Sequence, residues 1–115
     1  MGFKRGNVHL ANLNPARGAE PGKTRPCVVM QSNVLNDIDH ETTIVVSMTT
    51  QLVDGAEPLR FRISARDQLR HESDVMLDQV RAIDNGRIGK KITALTKREI
   101  LMVEEYWKIV LGLDH

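Results

Sequence analysis

The sequence is poor in aromatic residues, with one Trp, one Tyr and two Phe among 115 positions. That argues against a surface that stacks bases on rows of rings. It has one cysteine, Cys27, so a disulfide framework and a cysteine-built metal site are both out. Sixteen basic side chains face fifteen acidic ones, so bulk charge gives no argument for nucleic acid as a partner. No apolar run approaches the roughly 18 residues of a membrane span. No signal-like segment opens the chain, and a cytoplasmic protein without membrane contact is expected. His9, His40, His71 and His115 are scattered, with no ligand spacing; neither a metal site nor a cofactor is expected. Gly-rich phosphate loops, nucleophile elbows and internal repeats are also missing.

What is present fits one domain spanning residues 1–115, since domains run about 100–200 residues. Charge is unevenly placed. Residues 1–30 hold five basic and one acidic side chain, and residues 31–60 hold one basic and five acidic. Several short segments read as strands. These are Val8 to Leu13, Cys27 to Gln31, Thr42 to Met48, Leu59 to Ile63 and Asp74 to Asp84, with a last short one in "KKITAL". "NGRI" carries an Asn-Gly turn signal, and "SNVLNDIDHE" reads as a polar loop.

The C-terminus changes period. Thr96 followed three residues later by Glu99 is a capping box. Ile100, Val103, Trp107, Val110 and Leu111 then recur at helical spacing, and Gly112 is placed to end the helix. Short strands with irregular connections, then one helix, predict an α+β fold built on a small, strongly bent antiparallel sheet or barrel.

Three segments carry chemistry. In "RGAEPGKTRPCVVM", Pro26 lacks an N–H and suits the first residue of a strand. It drives Arg25 into extended geometry, so a guanidinium is held still at the edge of a stiff element. Glu20 and Lys23 share that loop. "VVSMTTQ" closes an apolar strand with Ser47, Thr49 and Thr50. "LDQVRAID" sets Asp78, Gln79 and Arg81 along a strand, with Asp78 and Gln79 on opposite faces under strict alternation. On residue chemistry alone, a charged turn, hydroxyls for turn formation and a structural polar network remain open readings beside a functional site.

Taken together and in order, these segments resemble the MazF/PemK family of toxin endoribonucleases. Gly18-x-Glu20-x-x-Lys23-x-Arg25-Pro26 before an apolar strand carries the resemblance, with Asp78-Gln79-x-Arg81-x-Ile83-Asp84 beside it. The resemblance implies an SH3-like antiparallel β-barrel with a C-terminal α-helix, and a homodimer. It implies cleavage of single-stranded RNA, usually mRNA, without a metal, and neutralisation by a cognate antitoxin. The reaction it implies is attack of the 2′-OH on the adjacent phosphate, giving 2′,3′-cyclic phosphate and 5′-OH ends. Arg25 would stabilise the phosphoryl oxygens and protonate the leaving oxygen. Thr49 would assist proton transfer, with Glu20 as proton acceptor. Lys23, Asp78, Gln79 and Arg81 would contact RNA. Asn7, Ala19 and Met76 stand where some members carry an acid, a His and an Arg, so a mechanism resting on that His and Arg cannot operate here. Two other readings share the fold: a protein-binding toxin of the gyrase-poison kind, and an inactive RNA-binding barrel.

Overall fold

The computed structural model describes residues 2–15, 18–19 and 23–113. Six antiparallel strands lie in one sheet: β1 (Asn7–Asn12), β2 (Thr24–Val29), β3 (Thr42–Thr49), β4 (Arg60–Ile63), β5 (Ser73–Asp84) and β6 (Ile88–Ala94). Their order is β4-β5-β3-β2-β1-β6. The two ends of the row come close. The Gln68 N–H, in the loop after β4, donates to the carbonyl of Ile92 in β6 at 3.2 Å. The sheet is thus bent nearly round on itself, although β4 and β6 do not pair.

Alternation along the strands divides the sheet into two buried faces. Val28, Met30, Val46, Met48, Val75 and Leu77 join Val8 and Ile63 in the main core. Ala11, Leu13, Cys27, Val29, Val45 and Ile83 form a second layer. Burial raises the Cys27 thiol to a pKa of about 11, so it stays protonated and unreactive at neutral pH.

The single long helix among the described residues, α2 (Lys97–Val110), closes the main core. Both halves of the capping box form: Glu99 N–H donates to Thr96 Oγ at 3.1 Å, and Thr96 N–H to Glu99 Oε1 at 2.8 Å. Val103 is fully buried, with Ile100, Trp107 and Val110 packed beside it. Tyr106 meets Phe61 of β4 edge-on, ring centroids 5.8 Å apart. Gly112, at φ 72°, ends the helix as its position predicts; Leu111, assigned to the apolar stripe, is exposed instead. No helix among the described residues is long and apolar enough to cross a membrane.

The polar loop expected over "SNVLNDIDHE" contains one helical turn, α1 (Asn33–Asn36), capped by Ser32. Buried Asn36 explains it. Its amide donates to the carbonyl of Gln31 and to Asn33 Oδ1, both at 3.0 Å. In a polar stretch of sequence, side chains that make such local bonds suit a loop equally well.

Glu99 does more than cap the helix. Arg66 holds both its carboxylate oxygens at 2.6 Å. Those hydrogen bonds depress the Glu99 pKa, outweighing burial. A depressed folded-state pKa means the stabilisation is full above the ordinary carboxylate value of 4.5 and fades as pH falls through the lower folded value. Urea midpoints should therefore drop more steeply on acidification below that value in the parent protein than in Glu99→Gln. Equal slopes would remove the pair from the acid response.

Candidate active site

β2 begins at Thr24, so Arg25 and Pro26 lie inside the strand rather than at its edge. Arg25 pairs with Ala11 and Pro26 with Leu10 of β1. On the other side the β2–β3 ladder starts only at Cys27, so the missing N–H of Pro26 interrupts no β3 pairing. Arg25 shares the face of Cys27 by alternation, and Cys27 Sγ donates to the Arg25 carbonyl at 3.8 Å.

Thr49 ends β3. It is two residues beyond Ser47, the partner of Cys27 across the ladder. Arg25 and Thr49 consequently meet on one face, and both line a cleft of about 190 Å³ with Lys23, Pro26, Thr50 and Ser73. Thr49 is only 7% exposed. Its Oγ accepts from the Gln51 N–H at 3.1 Å. That bond fixes the hydroxyl and uses one lone pair, leaving the O–H free to donate into the cleft. The arrangement suits a donor or relay better than a base.

Lys23 stands at the cleft entrance with φ 65°, a left-handed geometry unusual for a side chain of its size. Two bonds hold it there. Its N–H donates to Asn14 Oδ1 at 2.7 Å, and its carbonyl accepts from the Leu13 N–H at 2.8 Å. Glu20 lies outside the described residues.

The third segment departs from simple alternation. Val46 pairs with Val80 and Met48 with Val75, so β5 carries extra residues opposite Ser47. Leu77 and Val80 both pack on the main core, and the bulge leaves Asp78 and Gln79 between them. Asp78 is exposed, and Gln79 is half-buried. Arg81 pairs with Val45 in register and lies near Cys27, whose thiol it and Arg25 pull down against the burial effect. Among the described residues, one terminal Arg81 nitrogen and Ser47 Oγ are buried without a hydrogen-bond partner; the Ser47 hydroxyl lies near the Cys27 thiol and also pulls it down.

Sequence reasoning missed two supports of this cleft. Ser73 lines it, its hydroxyl held by donation to the His71 carbonyl at 2.9 Å. Asp74, directly opposite Thr49 in the ladder, has a side chain 1% exposed. It accepts from the Val53 N–H at 2.9 Å, from Arg62 Nε at 2.9 Å and from Arg60 at 3.3 Å. Burial raises its pKa, but the bonds from Arg62 and Val53 more than offset that and the net shift is down. The sequence signal available was "RFR", two arginines on one face of a strand beside an acid-bearing one.

Comparison with known proteins identifies the family. Residues 4–111 match the family described as PemK-like, MazF-like toxins of type II toxin–antitoxin systems. Endoribonuclease EndoA of Bacillus subtilis is 36% identical over 114 residues, covering 98% of this chain and 97% of its own. Endoribonuclease MazF of Staphylococcus epidermidis is 32% identical over 115 residues, covering 98% and 94%. Among solved structures, MazF of Deinococcus radiodurans superimposes with a TM-score of 0.78 at 18% identity, over 97% of this chain and 98% of that one. A mycobacterial endoribonuclease solved in complex with its cognate antitoxin also gives 0.78, at 17% identity over 98% of each chain. The open six-stranded sheet with its C-terminal helix is therefore the MazF-like α+β fold, and the chain belongs to the PemK-like, MazF-like toxins of type II toxin–antitoxin systems.

Proposed function

We propose that the protein is a sequence-specific, metal-independent endoribonuclease that cleaves single-stranded mRNA. The observation that carries this reading is the meeting of Arg25 and Thr49 in one small cleft, at neighbouring ends of β2 and β3. The RNA 2′-oxygen attacks the adjacent phosphorus. The bond from phosphorus to the 5′-oxygen breaks, and that oxygen takes up a proton. Charge builds on the phosphoryl oxygens, where the fork of N–H donors on Arg25 fits phosphate geometry. The Thr49 O–H donates to the same oxygens or to the leaving oxygen. A neutral Thr is too weak a base to take the 2′-OH proton unaided, and Glu20 is assigned that role. Lys23 supplies further positive charge at the entrance. Asp78, Gln79 and Arg81 read unpaired base edges beside the cleft.

The chain pairs as a homodimer, and a cognate antitoxin silences it by covering the cleft; membership of the family supports both. An mRNA substrate puts the activity in the cytoplasm. Purified protein should cut a long unstructured RNA in EDTA, leaving 2′,3′-cyclic phosphate and 5′-OH ends that primer extension maps to a short recurring sequence. Intact RNA under those conditions would overturn the reading.

A further inference from the structure

A second cavity, of about 300 Å³, adjoins the catalytic cleft. Pro26, Thr50 and Ser73 are walls of both. Its volume falls at the lower end of the range of ligand pockets, about 300–1,000 Å³. The floor is apolar: Leu10, Leu69 and Ile92. The rim is polar and cationic, with exposed Gln68, Arg70, His71 and Lys90. Among the described residues, no acidic side chain lines it. An apolar slot with a cationic mouth matches one nucleotide, whose base seeks the floor and whose phosphate seeks the rim.

The rim is built rather than loose. Arg66 and Leu69 exchange backbone hydrogen bonds at 2.9 and 2.8 Å. Gln68 is tied to Ile92 in β6, and the Thr93 hydroxyl donates to Asp67 at 2.7 Å. Arg66 is clamped to Glu99 of α2. At the far end, Ser73 holds the His71 carbonyl. Lys90 reaches the rim because β6 carries a register irregularity there: His9 pairs with Lys91 and Ala11 with Ile88. A rim fixed at this many points loses little freedom when a ligand enters.

We infer that this cavity is a nucleotide subsite, holding a residue of the RNA strand that flanks the cleaved bond. This rests on the nuclease reading above. The subsite adds binding energy through one further nucleotide and plays no part in the bond-breaking step.

The test uses DNA oligomers carrying one ribonucleotide at a mapped cleavage step, lengthened one nucleotide at a time from either end. In the parent protein, kcat/KM should rise about tenfold at a single added nucleotide, equivalent to about 1.4 kcal/mol, which burying roughly 55 Å² of base surface on the aliphatic floor supplies. With Arg70→Ala and Lys90→Ala combined, that step should vanish while shorter oligomers are cut at the parent rate. Both residues are exposed, so the fold is not at risk. A length step retained in the double variant, an equal loss at every length, or no step in the parent would each overturn the subsite and leave the nuclease reading standing. Failure of the parent protein to cut even the long RNA would sink both.

Discussion

Arg25→Ala should lower kcat by about 10²–10³, the usual effect of removing one donor aimed at transition-state charge. KM should change far less, because Lys23 and the other cationic groups still attract the phosphate backbone. Arg25→Lys should recover only part of the loss. A lysine keeps the charge but not the paired N–H geometry that matches two phosphoryl oxygens. Neither apolar layer should be disturbed, since half-buried Arg25, at one end of β2, belongs to neither. Single-turnover kinetics separate binding from chemistry here. A variant with near-parental single-turnover rates would take Arg25 out of the mechanism.

The largest stability effect should come from Asp74→Ala. Its carboxylate is 1% exposed and accepts from a backbone N–H and two arginines. Removing one member of such a cluster strands the others, which typically costs about 3–5 kcal/mol for a fully buried pair. Arg60 and Arg62 keep some contact with water, at 22% and 33% exposure, so about 2–4 kcal/mol is expected. That corresponds to a Tm lower by roughly 10–20 °C. Activity should fall with it below the new Tm as well, because Asp74 pairs with Thr49 and anchors Val53, four residues further along. Differential scanning calorimetry with parallel RNA cleavage measures both. A Tm within about 2 °C of the parent would show that the arginines find other partners.

Much of this was legible in the sequence because local and long-range preferences agreed. The β-branched runs at Val28–Val29 and Ile44–Val46 had no helical period, and Thr96 with Glu99 announced the helix. The loop motif sets Arg25 and Lys23 two residues apart, and both line one cleft. What was hidden depended on distance along the chain. Asp74 looked like the start of a strand because its partners Arg60, Arg62 and Val53 lie 12 to 21 residues away. The β5 bulge at Asp78 and Gln79 could not be read from a strand pattern, since alternation is assumed until a register shift breaks it. The helical turn at Asn33–Asn36 was concealed by polar residues that suit loops as well as caps.

The nearly closed sheet leaves two open borders: β4 carries arginines ion-paired to Asp74 and Asp54, and β6 carries lysine charge that stands free among the described residues. β4 is only four residues long and carries Arg60 and Arg62; β6 carries Lys90 and Lys91. A short, charged border is a poor template for adding another strand. Two copies brought together at high concentration should therefore resist zipping into extended β-aggregates through these edges. That resistance keeps the pool of folded chains from draining into fibres.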